Sequence, residues 1–141
     1  MLRLSAIALL GLFLVGCESG PKLPPTVPAE GIVKLDGTPV PDVTVVFIAE
    51  QGNYNGTGVT DKEGKFAMKA FDSKSGVVVG SYKVELNKTV VETKGEGGGG
   101  ESEVNIKYGL PKKYSTFTTS GLSIKIEEGG KKDITFDLKS K

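Results

Sequence analysis

Apolar residues recur at every second position over most of this chain, and this period limits the fold more than any other feature. In a β-strand successive side chains point to opposite faces, so the alternation indicates sheets with one buried side and one side in water. Strands are predicted around these sets: Ile32, Val33 and Leu35; Val43, Val45 and Phe47; Phe66, Met68 and Ala70; Tyr82, Val84 and Leu86; Leu122, Ile124 and Ile126; Ile134, Phe136 and Leu138. About seven short strands predict an all-β fold, a Greek-key β-sandwich, with a closed barrel as the alternative.

One of these strands is apolar on both faces. Val46 and Ile48 alternate with Val45 and Phe47, so the strand is predicted to lie in the centre of its sheet. The aromatic residues of four predicted strands are expected to share one interior: Phe47, Phe66, Tyr82 and Phe136.

Turn residues separate the predicted strands. Asp36-Gly37 is a strong hairpin signal, and residues 61–64, 72–76 and 128–131 carry similar turn chemistry. Two segments break the rhythm. The glycine-rich run 95–100 predicts a mobile loop, and residues 108–120 predict an irregular crossover with one short helical turn.

The N-terminus indicates export and lipid attachment. Residues 4–15 are uncharged and follow Arg3, which is too short for a spanning helix but fits the apolar part of a secretory signal. Leu14-Val15-Gly16-Cys17 resembles the bacterial lipobox, in which the peptide is cut before the cysteine and its thiol receives a diacylglyceryl group. Residues 1–16 are therefore predicted to be a removed signal peptide, with Cys17 as the lipid-bearing residue. An ordinary signal peptide or an uncleaved anchor is the alternative.

The segment after the cysteine predicts a tether. Residues 17–28 are polar and contain Pro21, Pro24, Pro25 and Pro28, and an extended proline-rich chain of this kind reaches roughly 3.1 Å per residue, some 30 Å in all. The folded domain is predicted to occupy residues 29–141. Without Arg3 the chain keeps 17 basic residues against 17 acidic ones, which indicates no nucleic-acid partner. Cys17 is the only cysteine, so no disulfide stabilises the domain.

Three motifs of this sequence resemble those of carboxypeptidase regulatory-like (transthyretin-like) domains. The first is the strand of residues 31–35 with its Asp36-Gly37 turn, Pro39 and a following Val45-x-Phe47 strand. The second is Thr60-Asp61-x-x-Gly64-x-Phe66, and the third is Gly80-x-Tyr82-x-Val84. The likeness covers residues 29–88, and the remainder is similar to small bacterial lipoproteins that carry this domain alone. It implies a transthyretin-like or Ig-like sandwich that serves as an accessory module and performs no catalysis.

The residue types present restrict the chemistry. The chain has no histidine, which excludes Ser-His-Asp and Cys-His nucleophile systems and any zinc site built on imidazole. We therefore expect no catalytic residues, no cofactor and no metal site. The alternative is a carboxylate-based hydrolase or a metal-dependent binding protein. Its candidate groups are Glu127-Glu128 and Glu101-x-Glu103 for hydrolysis, and Asp36, Asp42 and Asp61 for calcium.

Binding is expected at the loops that join the strands. Residues 50–56 carry Tyr54, and the crossover 108–121 carries Tyr114 and Phe117. These aromatics could stack on sugars or anchor a partner, and burial against the sandwich is the alternative. The function predicted is a lipid-anchored module of the bacterial cell envelope, facing the periplasm or the cell surface, that binds a protein or glycan or has a structural role.

Overall fold

The computed structural model describes residue 20 and residues 22–94 and 103–141. The predicted signal peptide 1–16, Cys17 and the glycine run 95–100 lie outside the described residues. The strands are β1 Ala29–Leu35, β2 Thr38–Pro39, β3 Thr44–Ala49, β4 Gly56–Val59, β5 Lys65–Ala67, β6 Gly80–Asn87, β7 Thr89–Lys94, β8 Glu103–Tyr108, β9 Leu122–Ile126 and β10 Lys131–Leu138. A single 3₁₀ turn, Lys112–Ser115, lies in the crossover, as predicted.

Two four-stranded sheets form the body of the protein. In the first, β1 pairs with β10 on one edge and with β2 and β5 on the other. The second has the antiparallel order β4-β3-β6-β9. The all-β sandwich predicted from the alternation is confirmed, and β3 lies in the centre of its sheet, as its two apolar faces indicated.

The strands β1 and β10 run parallel, although they lie far apart in the chain. Their register places Val33 beside Phe136 and Leu35 beside Leu138, and a bulge interrupts it between Ala29 and Gly31. Gly31 is required at this close approach, because a Cβ there would overlap the backbone carbonyl of Ile134.

The interior between the sheets is filled by the alternate residues of each strand. Phe47 lies 5.6 Å from Tyr82 and 6.3 Å from Phe136, and Phe136 stacks on Phe66 at 5.8 Å, measured between ring centroids. The shared aromatic interior predicted from the sequence is confirmed. Burying a large side chain of this kind stabilises the fold by about 1.5–3 kcal/mol. Other buried members of the core include Val33, Val43, Val45, Met68, Val77, Val84, Leu86, Leu110, Ile126, Ile134 and Leu138.

Several segments differ from the prediction, among them β4, which was not predicted. The strand predicted over 66–70 ends at Ala67. Beyond that point the chain no longer pairs with β1, and Lys69 pairs instead with Thr57 of β4. This pairing joins the two sheets along one side. The hairpin of β7 and β8 was not predicted, and it forms a separate two-stranded sheet that follows β6 in the chain.

The sandwich has two ends with different contents. The end where β1 begins, called here the tether end, consists of residues 50–55, 71–79 and 127–130. The opposite end consists of residues 36–37, 60–64, 87–89 and 108–110, and the β7–β8 hairpin leaves from it. Within the described ranges, no helix has the length and apolar character needed to cross a membrane.

Part of the predicted tether is bound to the domain. The amide and carbonyl of Val27 exchange hydrogen bonds with Val77 at 2.8 and 2.9 Å, and the Thr26 hydroxyl donates to the Ser75 carbonyl at 2.8 Å. The Pro28 carbonyl accepts from the Lys131 amide at 2.7 Å. Fixed structure therefore begins before Ala29, where the folded domain was predicted to start.

Candidate binding surfaces

The polar residues of the sequence motifs are engaged with their own backbone. The buried Thr60 hydroxyl accepts a hydrogen bond from the Val43 amide at 2.8 Å and donates to the Val40 carbonyl at 2.7 Å. One carboxylate oxygen of Asp61 accepts from the amides of Glu63 and Lys65, both at 2.9 Å. These side chains hold the turn between β4 and β5.

Asp36 joins two distant parts of the chain. Asp36 and Gly37 both have positive φ, the signature of a two-residue hairpin turn, as predicted. The Asp36 carboxylate accepts a hydrogen bond from the Ser140 amide at 3.2 Å. Hydrogen bonds from the Ser140 side chain, and then from its backbone, hold the pKa of Asp36 below its usual value.

The Tyr82 hydroxyl is also used internally. It donates to the carbonyl of Val78, four residues earlier, in the arrangement of the tyrosine corner of Greek-key sandwiches. Burial raises the pKa of Tyr82 above its ordinary value, because the phenolate would have to be desolvated.

The carboxylates considered for catalysis or metal binding lie in exposed positions. Glu127 pairs with Lys125 at 3.3 Å, and Glu128 is exposed beside it. Among residues 22–94 and 103–141, no three acidic groups converge as a metal cluster, so Asp36, Asp42 and Asp61 do not form one together. Glu101 lies outside the described residues, and Glu103 is described by its backbone alone.

The structure buries Tyr114. Its ring belongs to the core, with 7% of the residue exposed, and its hydroxyl accepts from the Lys139 amide at 3.0 Å. The tyrosine thus closes the space between the ends of β6 and β10 and presents no ring to a ligand. This is the burial that the sequence left open as the alternative.

Phe117 lies on the outer face of the second sheet and is 40% exposed. Its amide donates to the Glu85 carboxylate at 3.2 Å, which fixes the crossover against β6. The Lys83 ammonium lies 6.0 Å from the centre of the ring. A small groove of about 280 Å³ separates Phe117 from Ile48 and Glu50. Aromatic, cationic and acidic groups therefore meet at one open position.

Tyr54 lies at the tether end and is 43% exposed. Its ring packs edge-on against Phe71, with 5.4 Å between centroids and an angle of 69°. The neighbouring Asn55 accepts from the Ala49 amide at 3.0 Å and anchors the loop to β3. Tyr54 and Phe117 therefore lie on different surfaces of the protein. Phe71, on which Tyr54 packs, lies near β4, whereas Phe117 packs against β6.

Two grooves lie where the sheets join at β4 and β5. The larger, about 900 Å³, lies beside Ile32 and carries Glu30, Lys65 and Asp133 on its walls. The smaller, about 420 Å³, runs on past Val59 to Phe71. Both are open, and their charged groups are of mixed sign.

Several exposed apolar residues were not singled out from the sequence. Leu23 and Val79 lie at the tether end, Val59 borders the two grooves, and Val90, Val91 and Tyr108 lie on the β7–β8 hairpin. The signal for the hairpin was a β-branched pair, Val90-Val91, before the glycine run. Leu23 precedes two prolines, and Val79 ends a run of three valines. In neither context do apolar and polar residues alternate, so the sequence does not indicate which side chains face inward.

Comparison with known proteins identifies no family for this chain. No protein-family model matches the chain, and no curated protein matches it. Among solved structures, a 9R-lipoxygenase from Cyanothece PCC8801 is similar at 14% identity and a TM-score of 0.34, over 81% of this chain. The chain spans 16% of that protein's length. A TM-score this low carries no inference about the fold or activity of this chain.

Proposed function

We propose that the mature chain is a lipoprotein of the bacterial cell envelope, anchored in a membrane by lipid on Cys17. Its β-sandwich binds a protein or glycan partner, or has a structural role in the envelope, and does not catalyse a reaction. The support for the anchor is the run Leu14-Val15-Gly16-Cys17 and the uncharged stretch before it. Two or more acyl chains give durable anchoring, at about 0.8 kcal/mol for each buried methylene.

One observation carries the non-catalytic part of the proposal. The polar side chains of the recognisable motifs form hydrogen bonds to backbone groups in turns and between strands. These side chains are Asp36, Thr60, Asp61 and Tyr82. A catalytic group normally has to face a cleft and a substrate. Residues of the motifs that resemble carboxypeptidase regulatory-like domains therefore specify the fold, which agrees with the accessory role that this resemblance implies.

The partner surface favoured by the geometry is the groove beside Phe117. An exposed aromatic ring flanked by Lys83 and Glu85 offers an apolar face together with charged groups of both signs. Aromatic residues of this kind commonly anchor protein interfaces.

The anchor is tested by metabolic labelling with an alkyne fatty acid. The wild-type chain should carry the label and sediment with membranes, and Cys17→Ser should lose the label and leave the pellet. A serine variant that remains in the membrane with its N-terminus intact would be an uncleaved anchor, and the lipoprotein proposal would be wrong.

The binding role is tested by crosslinking and co-purification from native membranes. Phe117→Ala should lose the partner, whereas the neighbouring exposed Thr118→Ala should retain it. The same preparations are assayed against peptide, ester and glycoside substrates, with and without divalent metal. Turnover that disappears when a single carboxylate is replaced, in a folded variant, would show an enzyme.

A further inference from the structure

Three of the exposed large apolar side chains belong to the tether end. Leu23 is 37% exposed, and Tyr54 and Val79 are each 43% exposed. The Lys74 ammonium lies 3.5 Å from the Leu23 carbonyl, and the segment of Lys74 pairs with Phe71, on which Tyr54 packs. Val79 lies close to the loop of Tyr54, because Glu50 at the start of that loop donates its amide to the carbonyl of Ser81 at 3.0 Å.

The path of the described chain shows at which end of the sandwich the segment from Cys17 arrives. Residues 26–28 are hydrogen-bonded to Ser75, Val77 and Lys131, all at or beside the tether end. The Lys74 ammonium also lies 3.5 Å from the Pro24 carbonyl. The segment that can span the distance from the lipid is therefore limited to the residues between Cys17 and Thr26.

That segment is short. The nine Cα-to-Cα steps from Cys17 to Thr26 extend at most about 30 Å, at roughly 3.3–3.6 Å each. The tether end must therefore lie within about 30 Å of the point where the lipid enters the bilayer.

We propose that the tether end, through Leu23, Tyr54 and Val79, rests on the membrane that holds the lipid of Cys17. The inference rests on the proposed lipid anchor and adds a defined orientation of the domain. A tyrosine suits this position, since its ring enters the apolar boundary while its hydroxyl stays hydrated. The β7–β8 hairpin leaves from the opposite end of the sandwich, which then faces away from the membrane.

The chain contains no tryptophan, so a single introduced tryptophan reports its own surroundings. Tyr54→Trp and Val79→Trp are made in the full lipidated chain, with Tyr108→Trp as the matched exposed control at the opposite end. Each variant is reconstituted in phosphatidylcholine vesicles with or without bromine on the acyl chains. Thermal melting of each variant confirms that it is folded.

Brominated lipid should quench the Tyr54→Trp and Val79→Trp variants at least about twofold more than the Tyr108→Trp variant, because an interfacial side chain enters the boundary by roughly 5–10 Å. Equal quenching at the two ends would overturn the orientation. A blue-shifted but unquenched tryptophan at the tether end would show a second protein copy covering it, which also overturns the inference.

Mass spectrometry of the same samples separates this inference from the proposed function. A chain whose Cys17 carries no lipid overturns both. A lipidated chain whose tether-end tryptophans are unquenched overturns the membrane contact alone and leaves the anchor in place.

Discussion

The ring of Phe47 meets the ring of Phe136 edge to face, with 6.3 Å between centroids and 88° between planes. Phe47 belongs to β3 of the second sheet and Phe136 to β10 of the first, so this contact crosses the sandwich. Phe136 also stacks on Phe66 of β5. It is therefore the aromatic residue that joins the last strand to both layers.

Truncation of this residue should be costly. Phe136→Ala is expected to lower the free energy of unfolding by about 3–5 kcal/mol, because it removes both ring contacts and leaves a cavity. The neighbouring Thr135 points outward, so Thr135→Ala should change the free energy of unfolding by less than about 0.5 kcal/mol. Urea unfolding followed by circular dichroism measures both. Similar losses for the two variants would contradict the register of β10.

Two turn glycines allow the strain of positive φ to be separated from steric overlap. Gly37 and Gly64 have φ of 85° and 72°, but a Cβ at Gly37 meets nothing within 4 Å. At Gly64 it would lie 2.9 Å from Pro39 and from the Val33 carbonyl. Gly37→Ala should cost about 1–2 kcal/mol from backbone strain alone. Gly64→Ala should cost about 1–3 kcal/mol more, because the neighbouring backbone must move. Equal midpoints in denaturant would contradict this packing.

The buried Thr60 hydroxyl is expected to stabilise the connection between β4 and β5. Thr60→Val keeps the shape of the side chain but removes the hydroxyl that bonds to the Val43 amide and the Val40 carbonyl. A buried polar group without its partner costs about 1–3 kcal/mol. Thr44→Val, at an exposed position on the neighbouring strand, is the matched control and should be near neutral. Thermal melting distinguishes them, and an unchanged melting temperature for Thr60→Val would count against the bridging role.

Stability should fall at alkaline pH through Tyr82. Its folded pKa is raised above the ordinary 10.0 by burial, so the unfolded chain releases this proton first. Stability from this group is complete below about pH 10 and decreases above it, by at most about 1.4 kcal/mol per pH unit, until the folded pKa is reached. Tyr82→Phe should be less stable at neutral pH by about 1 kcal/mol, for the lost hydrogen bond to Val78, and should show a shallower alkaline decline.

The control for this measurement is Tyr108→Phe on the exposed hairpin, which should follow the wild-type curve of stability against pH. Denaturant titrations between pH 8 and the alkaline limit of folding give the slopes. Parallel curves for wild type and Tyr82→Phe would show that another group causes the alkaline loss.

The strands with strict alternation were predictable because period and burial are local properties. The patterns around Phe47, Tyr82 and Phe136 identified both the strands and their inward faces. The Asp36-Gly37 turn was predictable for the same reason, since two adjacent residues suffice to set it.

Other features depend on contacts between segments that are distant in sequence. No local signal indicates that β1 pairs with β10 in parallel, or that Lys69 leaves one sheet to pair with Thr57 of the other. The orientation of Tyr114 was likewise undetermined, because the crossover has no period and a lone aromatic can face either way. The extent of the tether depended on the pairing of Val27 with Val77, which proline content alone does not reveal.

The parallel pairing of β1 with β10 also has a mechanical consequence. Tension on the segment that leads to Cys17 pulls β1 along its own axis, away from the body of the sandwich. The hydrogen bonds to β10 on one edge, and to β5 and β2 on the other, lie across that axis. Once the hydrogen bonds of Val27 and Pro28 are broken, the bonds of β1 are loaded together in shear. A pull from the proposed lipid anchor then has to displace the whole strand at once.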